Sequence, residues 1–348
     1  MIGGENYIKL KQATDSLLST LSLACPGLTL YLSGRDSISS VLSGLSSNRL
    51  WLPDFLPPAV HNVALQTGKQ INFYPINHQL LAEENWIDQV KKDDIVFVIH
   101  YFGIQQTALL TRLKTTGAVV ISDISMMLYN VNSWPLISEQ STFVLGSLRS
   151  TFPVADGGFL SSRTRDVVGP DKIASEEFWV PRAAALLSRG GSANRGFMSN
   201  ENSALFQKAE KWLDEHPADQ RKISDCSRAL LLTVSDAEWN DQRVQTHHNQ
   251  AILATHLSQL LNCPQVRPTR TLPDIAVSQY FTFFVKNVIR DRIKKTLEQN
   301  KIYCPILWET PFLNPPQPLP AEILSIPCDA RYSANDMKHI AKQILAQL

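Results

Sequence analysis

The sequence predicts an α/β fold in three layers, a mostly parallel sheet with helices on both faces, followed by a smaller C-terminal α+β domain. Three observations carry this expectation. Short apolar runs rich in β-branched and aromatic residues recur along the first half, and several lack period-2 alternation, as strands covered on both faces do. Between the first two runs, Ile38, Val41, Leu42 and Leu45 stand at i, i+3, i+4 and i+7, the spacing of one helix face. Beyond residue 235 the rhythm changes to a long helical stretch, one strand and two further helices.

The strand candidates, in order, are Leu28 to Leu32, Arg49 to Leu52, Gln70 to Tyr74, Asp94 to Tyr101, Ala118 to Ser122, Thr142 to Leu148 and Gly158 to Ser161. Turn formers or helix-spaced residues separate them. The stretch from Ser188 to Met198 combines three glycines with few apolar residues and reads as a mobile loop. Helices are expected over Asn200 to Glu215 and Asp236 to Leu261, the second long enough to cross from one domain to another. A strand from Tyr280 to Asn287, a helix from Arg290 to Asn300 and a closing helix from Ala334 to Leu348 complete the chain. The expected division is 1–235 for the large domain and 236–348 for the linking helix and small domain.

Composition excludes several classes. With 33 Lys+Arg against 32 Asp+Glu in 348 residues, the net charge of +1 provides no long-range field for nucleic acid or an anionic membrane. Any bound anion must be held by a local pocket. Five cysteines, Cys25, Cys226, Cys263, Cys304 and Cys328, are widely spaced without a C-x-x-C pair, so neither a disulfide framework nor a zinc site is indicated. The longest apolar stretch, Ile95 to Phe102, is interrupted by His100 and falls far short of the roughly 20 residues a membrane span needs. The start, Met1 to Tyr7, has an early acid and no apolar run of signal-peptide length, and the expected location is cytoplasmic.

Four local features can carry chemistry. Ser33-Gly34-Arg35-Asp36 joins a predicted strand to a predicted helix, where backbone amides and the helix end suit a phosphate. Ser33 and Asp36 equally match an N-cap. Asp123 stands just past an apolar strand, where ligands of open α/β sheets bind, and an acid there holds a ring nitrogen protonated, binds a ribose or caps the next segment. Gly146 to Pro153, followed by Asp156-Gly157-Gly158, turns polar after a buried strand, either completing an anion site or forming a plain loop. Near the C-terminus Arg331 suits a substrate carboxylate or phosphate, and equally a structural salt bridge.

In this order and at these separations the features resemble the pyridoxal-phosphate (PLP) enzymes of fold type I, the aspartate-aminotransferase fold. The branch they resemble is the DegT-like nucleotide-sugar aminotransferases. The resemblance runs over Ile2-Gly3-Gly4-Glu5, Ser33-Gly34-Arg35, Leu52-Pro53-Asp54-Phe55, Ile71-Asn72-Phe73-Tyr74, His100-Tyr101-Phe102-Gly103, Asp123, Gly146-Ser147-Leu148-Arg149, Asp156-Gly157-Gly158 and Ala330-Arg331-Tyr332-Ser333. It implies that Ser33, Gly34 and Arg35 cradle the cofactor phosphate with help from Ser147. It also implies that Asp123 partners the pyridine nitrogen and Arg331 the substrate, in a homodimer acting on a nucleotide-linked amino sugar in surface-polysaccharide synthesis. The Gly190-Gly191 segment with Arg189 and Arg195 is the candidate for reaching a neighbouring site, its alternative being a surface loop.

The sequence departs from that pattern at its centre. Where the Schiff-base lysine belongs, after Arg149 and before Asp156-Gly157-Gly158, stands Ser150, whose hydroxyl forms no imine. Arg149 does not replace it, because a guanidinium stays protonated. Met126 stands where relatives carry a polar residue or histidine, and Pro57 where an aromatic stacks on the ring. The implied protein is aminotransferase-like without ordinary lysine-dependent transamination. The alternatives are an enzyme holding PLP or its amine form PMP non-covalently, dehydratase-like, with His100 a conceivable base, or an inactive binding or partner subunit. An ordinary aminotransferase altered at residue 150 is the third account.

Overall fold

The computed structural model describes residues 16–167, 169–192, 200–268 and 276–347. The first half builds a seven-stranded sheet. Its strands are β1 (Thr29–Tyr31), β2 (Arg49–Pro53), β3 (Gln70–Tyr74), β4 (Ile95–Ile99), β5 (Val119–Asp123), β6 (Phe143–Ser147) and β7 (Gly158–Ser161), in the order β1-β7-β6-β5-β4-β2-β3. Strands β2 to β6 are mutually parallel, and β7 runs antiparallel to both β6 and β1. Every expected strand of this half is present. The fourth stops at Ile99, because His100 begins a 3-10 turn in which Phe102 takes a left-handed φ of 46°.

Helices lie between the strands: α1 (Leu17–Ala24), α2 (Gly34–Ser43), α3 (Pro58–Gln66), α4 (Thr107–Leu113) and α5 (Trp134–Gln140). The core shows that they cover two faces. Successive strand residues point to opposite sides of a sheet. Leu145 and Leu160 join a cluster with Ile38 and Leu42 of α2, Val63 of α3 and Leu110 of α4. Their neighbours Val144 and Phe159 join another with Leu17 and Leu21 of α1 and Ile137 of α5. The expected three layers follow from this alternation.

After β7 come α6 (Glu176–Ser192), α7 (Asn200–Glu215) and α8 (Asp225–Thr233). The predicted loop over Ser188 to Met198 begins as helix, since α6 runs through Ser192 despite its glycines, and α6 packs along α7. Tertiary packing overrides local propensity there. Residues 193–199 lie outside the described residues. Helix α9 (Asp236–His256) starts at a capping box between Ser235 and Glu238, as the residue types at a helix start allow. It ends earlier than expected, passing through Leu257 into a 3-10 turn over Ser258–Asn262.

A second, antiparallel sheet holds β8 (Val266–Pro268), β9 (Tyr280–Val285) and β10 (Ile323–Pro327), with β9 in the middle. Around it lie α10 (Asn287–Gln299), α11 (Leu319–Glu322) and α12 (Ala334–Leu345). Phe283, Val285, Leu324 and Ile326 pack with Leu253 of α9, Ile293 of α10 and Ile340 of α12. Phe284 and Ile323, on the other face, join the core of the large sheet. Among the described residues, no helix is long and apolar enough to cross a membrane.

Candidate functional site

The C-terminal ends of the parallel strands bring together three loops spread over more than a hundred positions of the sequence. The first is the turn from β1 into α2. Ser33 caps the helix, its hydroxyl oxygen accepting the Asp36 amide at 3.2 Å and donating to Asp36 Oδ2 at 2.5 Å. Asp36 is 1% exposed, and its Oδ1 accepts the amides of Asp219 and Arg221. The Ser33 hydroxyl is therefore committed to the cap. Among the described residues, the amides of Gly34 and Arg35 meet no acceptor, as expected for the first turn of a helix.

Two glycines make this turn possible. A Cβ on Gly158 would lie 2.2 Å from the Ser33 carbonyl oxygen and 2.6 Å from the Gly34 nitrogen, so β7 passes the turn only without a side chain. A Cβ on Gly34 would reach ordinary contact, 3.4 Å from the Ser147 Cβ. The helix start and the loop after β6 thus touch.

The second loop follows β5. Asp123 is paired with Ile99 on one side and Leu145 on the other. Its Oδ1 accepts the Ser125 amide at 2.8 Å. Burial raises the Asp123 carboxyl above its usual range, and the bond from the Ser125 amide partly offsets that rise. Among the described residues, no cation pairs with Asp123.

The third loop follows β6. The Ser147 amide donates to Ser125 Oγ at 2.8 Å, and the Ser147 carbonyl accepts the Ser150 hydroxyl at 3.0 Å. Ser150 is exposed. Ser125 thus links the second loop to the third, a role that the sequence reading missed. The available signal was a hydroxyl two residues past a strand-end aspartate, a spacing at which side chains bond back to the chain.

The structure sends the predicted arginines elsewhere. Arg35 donates to the Leu213 carbonyl and to Asp214 Oδ1, both at 2.7 Å. Arg149 donates to both oxygens of Glu210, at 2.5 and 3.3 Å, and lies 5.6 Å over the Phe178 ring. All three partners in these ion pairs and carbonyl contacts, Glu210, Leu213 and Asp214, sit on α7. Arg331 grips Asp329 with two nitrogens at 2.6 and 2.7 Å, so the salt-bridge alternative describes its geometry.

His100 is fully buried at the end of β4. Its Nδ1 accepts the Gln106 amide at 3.2 Å, and burial pushes its pKa down to about 3, so it stays neutral near pH 7 and is no base there. Pro57 precedes α3, with Pro58 as the first helical residue, and Met126 is half-buried against the main core. The Ile2-Gly3-Gly4-Glu5 segment and Arg195 lie outside the described residues.

A seven-stranded sheet with one reversed strand, plus free amides and a strand-end carboxylate at one edge, defines the arrangement to be compared with known proteins. An aminotransferase from Streptoalloteichus hindustanus, TlmJ, superposes with a TM-score of 0.65 at 12% identity, over 100% of this chain and 98% of that one. The chain has the aminotransferase fold. The Helicobacter pylori aminotransferase PseC, involved in the biosynthesis of pseudoaminic acid, matches at a TM-score of 0.65 and 11% identity over 99% and 98%. A putative sugar aminotransferase of Streptococcus pneumoniae, in its PLP form, matches at 0.60 and 10% over 99% and 93%, and its PMP form matches as well. At these identities the aminotransferase likeness is one of fold. No protein-family model matches the chain, and no curated protein matches it in sequence.

Proposed function

We propose that this chain binds PLP or PMP without a covalent bond, as an aminotransferase-like protein of sugar-amine metabolism that does not run lysine-dependent transamination. The observation that carries the reading is Asp123, a carboxylate held at a strand end without a counter-charge among the described residues, on the same edge as the free amides of Gly34 and Arg35. That donor set fits the group. A phosphate accepts from the two amides and gains from the helix end, while a pyridinium N–H supplies the positive partner that Asp123 lacks.

When bound, the group supplies a ring that accepts electrons from a substrate carbon. The chain's own residues do the rest. Asp123 keeps a proton on the ring nitrogen, Gly34 and Arg35 orient the phosphate through their amides, and Ser147 shapes the loop beside them. Ser150, exposed and bonded to its own loop, provides neither an amine nor a base.

Several finer expectations belong to the same reading. The sugar aminotransferases among the solved neighbours support an amino sugar as ligand class, and a nucleotide-linked amino sugar of surface-polysaccharide synthesis is the ligand this reading takes. A homodimer in the cytoplasm accompanies it, with the site completed at a two-fold interface. A division at 1–235 and 236–348 is supported by the separate cluster formed by α9, α10, α12 and the small sheet.

A second reading, a binding or partner subunit without catalysis, draws on one observation. Arg35 and Arg149, which flank the helix start, are both engaged by α7 rather than turned to the edge. Absorbance titration and equilibrium dialysis of the purified chain with PLP and PMP decide between the two. Saturable, reversible binding with nothing fixed by borohydride supports the first reading. Failure of both ligands to bind overturns it in favour of the second, and a borohydride-fixed adduct overturns the non-covalent attachment.

A further inference from the structure

We propose that the cavity between the turn after β4, the loop after β5 and α9 is a binding site for a phosphorylated sugar, with Arg243 receiving the phosphate. The sugar rests on the reading of this chain as a protein of sugar-amine metabolism; the anion site stands on its own geometry. The cavity has a volume of about 450 Å³, within the roughly 300–1,000 Å³ of small-molecule sites. Among the described residues that line it, Arg243 is the only one with a charged side chain. Its guanidinium donates to Asn240 Oδ1, one turn back on α9, at 3.1 and 3.3 Å, and among the described residues no carboxylate pairs with it. A half-buried guanidinium without a counter-charge, lining space for a ligand, presents the donor fork that phosphate oxygens match.

The rest of the lining suits the body of a sugar. Thr107 and Asn132 are exposed and make no side-chain hydrogen bond among the described residues, while Gln105 donates through Nε2 to the Ser133 hydroxyl and keeps its side-chain carbonyl for a ligand. Hydroxyls and amides of this kind both donate to and accept from sugar hydroxyls. The walls are held in place. In the turn after β4, Phe102 and Gly103 take left-handed φ values of 46° and 83°, and a Cβ on Gly103 would lie 3.0 Å from both Asn130 Nδ2 and the Val277 carbonyl oxygen. Asn130 donates to that carbonyl at 2.7 Å and accepts the Val277 amide at 2.9 Å, which ties the loop after β5 to the segment leading into β9. Both walls start at the strand-end carboxylate. The loop after β5 leaves from Asp123, and the turn after β4 opens at His100, whose amide donates to the Asp123 carbonyl at 3.1 Å.

Calorimetric titration of the full chain with glucose 1-phosphate, alone and with PMP added, tests the assignment. Saturable binding is expected in both conditions, weaker by about tenfold or more in Arg243→Gln and partly restored in Arg243→Lys, which keeps the charge without the fork. Glutamine is a good helix former, so the unfolding midpoint of the ligand-free variant should stay where it is. PMP binding is expected to be equal in all three proteins, since Arg243 is not among the groups assigned to PMP. Asn132→Ala should weaken glucose 1-phosphate and leave inorganic phosphate unchanged. Absence of glucose 1-phosphate binding, or binding undiminished in Arg243→Gln, overturns the site, and inorganic phosphate binding as tightly as glucose 1-phosphate overturns the sugar. Should PMP fail to bind while glucose 1-phosphate binds through Arg243, the functional reading falls and this site stands. If Arg243→Gln fails to fold, Asn132→Ala carries the same comparison.

Discussion

Arg182 and Arg149 share a single carboxylate. Glu210 Oε1 lies 2.6 Å from Arg182 Nη1 and 2.5 Å from Arg149 Nη1, and the Arg182 side chain is only 1% exposed. Arg182 also donates its Nε to the Ala155 carbonyl at 2.8 Å. One glutamate on α7 thereby binds α6 and the loop after β6 to each other.

Removing that carboxylate exposes the cost of a buried guanidinium. Breaking a buried pair costs about 3–5 kcal/mol, but Glu210 keeps 39% of its side chain exposed, so water compensates part of the loss. Glu210→Gln is expected to destabilise the chain by about 2 kcal/mol in urea unfolding. Burial works to raise the Glu210 carboxyl, yet Arg149 and Arg182 outweigh it and hold it below the usual range. A depressed carboxyl stabilises above its unfolded value, and that stabilisation fades as pH falls through the lower native value. The glutamine variant should therefore lose this part of the acid limb.

His100 acts in the same sense on the pH axis. Its buried ring is pushed down to about 3, so below about pH 6.5 the unfolded chain takes up a proton that the folded chain refuses. Stability should fall as pH drops from about 6.5 towards 3, by up to about 1.4 kcal/mol per pH unit. A nitrogen-15 spectrum of the imidazole should show a single neutral form from about pH 5 to 9. A ring that titrates near pH 6.5 would refute the burial argument.

Gly158→Ala tests the turn beneath α2. The new methyl would stand 2.2 Å from the Ser33 carbonyl oxygen, a backbone atom that cannot give way. A loss of about 3 kcal/mol or more, or failure to accumulate as soluble protein, is expected. Gly34→Ala meets only a 3.4 Å contact at a helix position where alanine is intrinsically favoured over glycine, so it should change stability by less than about 1 kcal/mol, and the pair of unfolding midpoints separates crowding from a general intolerance of alanine.

Ser150→Lys asks whether the site lacks only its amine. The Ser150 hydroxyl is exposed and, among the described residues, bonds only to the Ser147 carbonyl, so the substitution should change stability by less than about 0.5 kcal/mol. With PLP added, the lysine variant should yield an adduct that borohydride fixes at position 150 and mass spectrometry locates, whereas wild-type protein should yield none. In the wild-type background, Asp123→Asn should weaken PMP binding roughly 10- to 100-fold through the lost charge-assisted bond. Equal binding by the asparagine variant would remove Asp123 from the site.

The seven strands of the large sheet were legible because buried parallel strands need unbroken apolar runs, and Val119 to Ser122 or Ile95 to Ile99 have no other use. Local chemistry also announced the cap at Ser33, since a hydroxyl at that place satisfies an orphan amide. The reading of Ser150 at the position of a Schiff-base lysine rests on order and spacing in the sequence. Side-chain direction was not legible. Arg35 and Arg149 lie beside the predicted anion site in sequence, yet both turn to α7, because partners 61 to 179 residues away offer paired carboxylates and a free carbonyl. Ser125 was hidden for the same reason: its second partner, Ser147, lies 22 residues on and becomes its neighbour only when β5 and β6 align. Apolar periodicity determines which segments become strands and helices, because burial acts on each segment's own pattern. Where a polar side chain finds its partner is decided by which segments the fold sets side by side.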